Sequence, residues 1–390
     1  MEVWAAAVVA LYIFTVAWKL REVWHMGVRC DGANAFAVTA LALALVLGGG
    51  ASLQLTVCPD FYGGALLGCS LALMFGMERR EKLLLPSGRA VLVTGCDSGF
   101  GRALAVALSQ RGLTVFAGVL DENGTGARQL TERGGDKLKV LQLDVTNSSQ
   151  IEAAHRHIHT WVGDAGLWGL VNNAGVLQFP ADSELQPLAA SRRSMDVNFL
   201  AAVHLCQVFL PMLRKARGRI VNVSSMAGEV PMPGLGVYGA SKAALGLFSG
   251  VLRLELAAWG VKVALIQPAG FRTNIFGSSE SAARLRDELV ATVTPEARED
   301  YGEAYISSLP GRLARMSQQS AEDLSPVVDD FCHALLSTRP RPLYTPGQMG
   351  WLLPFLHRCC PTAAFDAIAG RLFKHTDCRP AGLQSPQPRT

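Results

Sequence analysis

The sequence predicts an α/β chain whose core is a doubly wound parallel sheet, preceded by N-terminal transmembrane helices. Three observations carry that prediction. Short apolar runs alternate with segments of helical spacing from Ala90 onward, a glycine-rich turn joins the first run to the first helix, and three long apolar stretches precede both.

The N-terminal stretches run from Val3 to Trp18, Ala35 to Val57 and Phe61 to Met77. A bilayer core takes about 20 apolar residues per helix, so the middle stretch qualifies outright. The other two are a little short, and Trp4, Trp18 and Tyr62 suit interfacial positions at their ends. A cleavable signal is the main alternative, but Met1-Glu2-Val3 lacks a basic leader and no small-x-small site closes the first stretch. Residues 1–85 therefore read as a membrane region with two or three spans. Lys19, Arg21 and Arg29 lie in the first connection, and Arg79, Arg80 and Lys82 follow the third stretch. Counting basic residues places that connection and the rest of the chain in the cytosol. The sequons at Asn123 and Asn147 are then expected to stay unmodified.

Residues 86–347 are expected to form one domain. Ala90 to Gly95, Thr114 to Leu120, Leu138 to Leu143, Trp168 to Val171, Arg219 to Ser224 and Val261 to Gln267 read as buried parallel strands. Helical spacing marks Phe100 to Gln110, Gln150 to Val162, Ser191 to Arg214 and Val237 to Trp259. A polar, helix-prone segment runs from Thr273 to about Leu336, and Leu343 to Gly347 reads as a last strand and turn. Residues 348–390 hold an apolar piece, Trp351 to Leu356, and a proline-rich tail after Arg379 that reads as disordered. The apolar piece is compatible with lying on a membrane, lining a pocket or packing in a dimer.

Composition agrees with this division. Of 390 residues 17% are charged, below the about 25% of soluble domains, as a membrane region would cause. A net charge of +4, dispersed along the chain, gives no footprint for nucleic acid. Nine cysteines without a CxxC read as free thiols. No metal site is predicted, because neither His155, His157 and His159 nor His357 beside Cys359-Cys360 has a complete ligand spacing.

Chemistry concentrates at the carboxyl ends of the strands. Thr94-Gly95-Cys96-Asp97-Ser98-Gly99-Phe100-Gly101 sits between a strand and a helix, where glycines admit a pyrophosphate to unpaired helix N–H groups. Gly95, Asp97, Ser98, Gly99, Phe100 and Gly101 are thus candidate dinucleotide contacts. Tyr238 and Lys242 share a helix face, an arrangement in which the ammonium favours the phenolate and makes a general base for an alcohol. Ser225 closes a strand and is placed to hold the substrate oxygen beside that phenol. A free ribose 2′-hydroxyl wants a carboxylate, and the second strand ends in Asp121-Glu122 with no basic residue in the glycine loop before Arg102. NAD is therefore the expected cofactor.

Thr-Gly-x-x-x-Gly-x-Gly, followed by Asn172-Asn173-Ala174-Gly175 and Tyr238-x-x-x-Lys242, resembles the short-chain dehydrogenase/reductase family over about residues 88–275. The resemblance implies a Rossmann-like fold and a catalytic set of Asn198, Ser225, Tyr238 and Lys242, with Asn198 holding a proton-relay water. It also implies cofactor contacts at Asn172, Ala174, Gly175, Tyr238, Lys242 and Thr273, with Asp144 and Val145 at the adenine edge. Gln267-Pro268-Ala269-Gly270 departs from the family's usual Pro-Gly. Further segments resemble steroid-oxidising members of the family from the endoplasmic reticulum membrane. They imply a steroid or related lipid alcohol as substrate, with Ser225 and Tyr238 binding it. The oligomeric state stays open, a homodimer included.

Overall fold

The computed structural model describes residues 83–177, 180–277, 279–373 and 378–383. The three apolar stretches expected to span a membrane lie outside the described residues. Residues 85–336 with 343–390 form one compact unit. Of a second unit, residues 1–84 with 337–342, the described part shows Leu83 in an antiparallel bridge with Ser337.

Seven strands, β1 (Ala90–Val93), β2 (Thr114–Val119), β3 (Leu138–Gln142), β4 (Gly169–Asn172), β5 (Arg219–Val223), β6 (Lys262–Ile266) and β7 (Leu343–Tyr344), form a parallel sheet. Their order is β3-β2-β1-β4-β5-β6-β7. The helices of its first half are α1 (Gly99–Gln110), α2 (Thr125–Gly134), α3 (Ser148–Val162), α4 (Leu188–Met195), α5 (Ala201–Ala216) and α6 (Gly236–Leu256). Beyond β6 come α7 (Ser279–Thr292), α8 (Pro295–Tyr301), α9 (Glu303–Ser308), α10 (Pro310–Gln319) and α11 (Ser325–Leu336). After β7 the chain adds α12 (Leu352–Cys359) and α13 (Thr362–Leu372).

Both sheet faces are covered, which is why the strands read as unbroken apolar runs rather than as alternations. Successive side chains still part to opposite faces. Val91, Val93, Val115 and Ala117 meet Leu104 and Leu108 of α1 with Phe331 and Leu335 of α11. Ala90, Leu92, Phe116 and Ile220 meet Ile151 and Ile158 of α3, Leu205 and Phe209 of α5, and Leu252 of α6. A smaller core holds the insertion after β6: Leu289, Ala297, Tyr305, Ile306, Leu309 and Leu313 pack with Ala181 and Leu185.

Among the described residues, one continuous helix, Leu188–Ala216, is long and apolar enough to cross a membrane. Its buried Leu205, Phe209 and Leu213 pack against the sheet. The tail after Arg379 is not wholly irregular, since Ala381–Leu383 forms a 3-10 turn closed by Leu383 N–H donating to Pro380 O at 3.2 Å. The proline fixes its own φ and so supports this turn.

Candidate active site

Strand order reverses between β1 and β4, and parallel α/β sheets open a crevice at such a point. Here a cleft of about 800 Å³ lies beyond the strand ends, lined by the loops after β1, β4, β5 and β6. The loops after β1 and β4 are joined through Thr94. Its buried hydroxyl accepts from Asn173 N–H at 3.1 Å and Ala174 N–H at 3.0 Å, and the Asn173 amide donates to Thr94 O at 2.8 Å and Gly95 O at 3.1 Å. Gly95 adopts φ 68°, and a Cβ there would meet Ala174 Cα at 2.8 Å. A Cβ on Gly101 would stand 2.2 Å from Gly95 O. Only bare backbone permits this crossing of loop and helix.

Gly95, Asp97, Ser98, Gly99 and Phe100 line the cleft at the start of α1, where Ser98 occupies the N-cap without a side-chain cap bond. The first-turn N–H groups of a helix lack intrahelical partners and favour an anion. Asp144, Val145, Ala174, Gly175 and Thr273 line it as well. An elongated cleft with a glycine turn and a helix N-terminus at one end fits a dinucleotide. Gly101 serves that turn by packing α1 onto it.

Besides Gly101, two of the expected cofactor contacts do not line the cleft. Asn172 donates its amide to Asn222 Oδ1 at 2.8 Å and to Cys206 Sγ at 3.4 Å, in the interior between sheet and helices. Strand alternation turns Asn172 inward and leaves the rim to Asn173, which sequence reasoning passed over although it stands next in line. Asp121 lies beyond β2, and its carboxylate accepts from Asn123 N–H at 2.9 Å in a local turn. Leu120 lines the cleft there, and Asp97 Oδ1 accepts from Leu120 N–H at 2.9 Å. Asp97, rather than Asp121, therefore places a carboxylate on the cleft wall beside Leu120.

At the other end three elements converge. Ser225 follows β5 and caps the short turn Met226–Gly228, accepting from Ala227 N–H at 3.2 Å. That turn packs closely on α6: a Cβ on Gly239 would meet Ala227 O at 2.6 Å. Tyr238 and Lys242, one turn apart on α6, line the cleft beside Ser225. Lys242 is 2% exposed and donates to Val223 O at 2.9 Å. Asn198 sits in a π-helical turn, Asp196–Leu200, between α4 and α5. Its side chain bonds Val176 at both ends, accepting N–H at 2.8 Å and donating to O at 2.9 Å, and donates to Ser241 Oγ at 3.0 Å. A Cβ on Gly175 would lie 3.2 Å from Lys242 Nζ and 3.3 Å from Asn198 Oδ1.

Burial dominates the electrostatics. It pushes Lys242 down from 10.5 to about 8 and pushes the Tyr238 phenol up, while a hydrogen bond with Ser225 works against the latter. The sequence expectation that Lys242 by itself favours the phenolate is not met. Its Nζ stands 5.9 Å from the Tyr238 ring centroid and is itself desolvated. Sequence reasoning also missed the apolar part of the wall, Leu177, Met226, Met232, Leu235, Phe276 and Met316. Nearness to Ser225 was the available signal for Met226 and Met232.

The family described as short chain dehydrogenase matches residues 89–284, across the glycine turn, Ser225 and the Tyr238–Lys242 pair. The chain belongs to the short-chain dehydrogenase family. Within that family it is 42% identical to the human 17-beta-hydroxysteroid dehydrogenase type 2, over 87% of this chain and 88% of the relative. It is 43% identical to the 11-beta-hydroxysteroid dehydrogenase type 2 of Bos taurus, over 79% of this chain and 76% of the relative. Among solved structures, a short-chain dehydrogenase from Streptomyces avermitilis superposes with a TM-score of 0.57 at 26% identity, covering 73% of this chain and 96% of that one. This short-chain dehydrogenase is accordingly an oxidoreductase.

Proposed function

We propose that this short-chain dehydrogenase oxidises the 17β-hydroxyl of a steroid such as estradiol or testosterone to the ketone, with NAD as acceptor. The observation that carries the reading is the convergence of Ser225, Tyr238 and Lys242 on one end of a dinucleotide-sized cleft with a methionine-rich apolar wall. The relatives named for steroid substrates support the substrate class.

Gly95, Asp97, Ser98, Gly99, Phe100, Asp144, Val145, Ala174, Gly175 and Thr273 would hold the cofactor, with Asp97 favouring a free ribose hydroxyl over a phosphate. Bound NAD would supply the two-electron acceptor and, while oxidised, a positive charge. Ser225 holds the substrate oxygen, and Tyr238 takes its proton as general base. Lys242, fixed to Val223 O, would orient the ribose. Asn198, held in the π turn, would position the water that carries the proton away.

The membrane region, residues 1–85, would anchor the enzyme in the endoplasmic reticulum membrane with residues 86–347 as the cytosolic catalytic domain. A lipid-soluble alcohol would then reach the cleft from the bilayer. Leu247, Val251 and Leu254 are exposed along one stripe of α6 and fit a second copy of the chain.

Formation of NADH with estradiol, testosterone and cortisol tests the reading. The 17β-alcohols are expected to react, and Tyr238→Phe is expected to lose 10²-fold or more, the order of magnitude for a positioned acid–base group. Full rate in Tyr238→Phe removes that residue from the mechanism. Preference for cortisol assigns the 11β-hydroxyl instead, and binding without turnover in the native chain assigns a steroid-binding role.

A further inference from the structure

Met226 and Met232 belong to two structures at once. Both line the cleft that holds Ser225 and Tyr238, and both pack against a separate apolar cluster of Val230, Leu353, Phe365 and Ala369. Three of those four residues come from α12 and α13, which His357 and Phe365 join edge to face at 4.9 Å. Val230 is wholly buried between them and the turn after Ser225, its N–H donating to Met226 O at 2.9 Å. A polar clamp holds the arrangement in register. Glu229 is ion-paired with Arg358 of α12 and accepts at 3.0 Å from Gln267 Nε2, just past β6.

Methionine adapts its shape to whatever stands behind it, because three torsions and a polarisable sulfur leave it many near-equal conformers. Two methionines on a cleft wall define a surface only when backed. Here the backing is the C-terminal helix pair, while the dinucleotide end of the cleft is built by the loops after β1 and β4.

We propose that α12 and α13 are the specificity element of this site: they fix Met226 and Met232 as the wall that seats a rigid polycyclic alcohol, with Phe365, Glu229 and Arg358 as positioning residues. The proposal rests on reading the cleft as a steroid site and assigns residues 349–373 a role in it.

The test uses the full chain in detergent micelles, with Phe365→Ala, Phe365→Leu, Arg358→Ala and Arg358→Lys. Three quantities are measured: Kd for estradiol in the presence of NADH, Kd for NADH, and kcat and KM for estradiol oxidation. Expected is a rise of about ten-fold in estradiol Kd and KM for Phe365→Ala and about three-fold for Arg358→Ala, smaller in Phe365→Leu and Arg358→Lys. NADH Kd and kcat are expected to hold. Unchanged estradiol affinity overturns the proposal, as does a parallel fall in NADH affinity, which reports general loosening. Should Phe365→Ala not fold, the partly exposed Arg358 pair still decides. A native chain that binds estradiol without oxidising it refutes the dehydrogenase reading and leaves the Kd comparison decisive here, whereas one that binds no estradiol overturns both.

Discussion

Lys242 holds an amine where water barely reaches, and its pKa falls from 10.5 to about 8. Between those values the unfolded chain binds the proton that the folded chain has released, so stability rises with pH across this window and the cost of burying the charge is fully present below it. That shift corresponds to about 3 kcal/mol at neutral pH. Other groups oppose it. Burial pushes Cys206 from 9.0 to about 12 and Cys332 to about 11, and it raises Tyr238, so stability falls as the unfolded chain loses those protons. The lysine is isolated by difference: relative to Lys242→Met, the native chain should gain about 2 kcal/mol between about pH 8 and about pH 10 in denaturant unfolding. A flat difference would mean that Lys242 keeps its ordinary pKa. Residue identities at this site were legible because Tyr-x-x-x-Lys and the glycine turn are spacing signals. Which of Asn172 and Asn173 faces the cleft was not, since it depends on where β4 ends within one residue. Nor was the balance of burial against charge at Tyr238, which depends on a 5.9 Å separation that spacing along a helix does not set.

At the scale of elements, α1 and α6 give glycine opposite meanings. A Cβ on Gly101 would stand 2.2 Å from Gly95 O, a backbone atom with no room to yield, whereas a Cβ on Gly250 in α6 meets nothing within 4 Å. Gly101→Ala is therefore expected to destabilise by about 1–3 kcal/mol and to weaken NADH binding as α1 lifts from the glycine turn. Gly250→Ala should stabilise by about 0.5–1 kcal/mol through helix propensity. Thermal unfolding with and without NADH reads both, and equal shifts of one sign would refute the contrast. The six strands that carry the cleft were legible within a residue or two, since buried parallel strands are continuous apolar runs bounded by polar turns. α2 was not, because Ala127 and Leu130 alone among its large or apolar side chains are buried, too few for a helical period. α12 stayed undecided because Pro354 interrupts its apolar run. In the structure that proline falls in the first turn, where a missing N–H costs no helical bond. The π turn at Asn198 left no trace in the sequence, for it changes hydrogen bonding without changing the apolar pattern.

The proposed membrane region, residues 1–85, would fix the orientation of the whole molecule, and that orientation can be tested on the catalytic unit itself. Asn123 and Asn147 head formal glycosylation sequons, and both are exposed, the first in the turn after β2 and the second as the N-cap of α3. Inaccessibility in the folded chain would therefore not explain their staying bare. A bare chain would report that neither asparagine meets the luminal transferase, as the distribution of Lys19, Arg21, Arg29, Arg79, Arg80 and Lys82 predicts. The expected outcome is no mobility change on endoglycosidase treatment of the native protein, and none between it and the Asn123→Gln, Asn147→Gln double variant. Protease added to sealed microsomes should remove the catalytic unit without detergent. A glycan on either asparagine, or protection of residues 86–347 until detergent is added, would place the cleft on the luminal side. The Asp97 wall of the cleft would then meet a different nucleotide pool, and the NAD assignment would need to be measured again there.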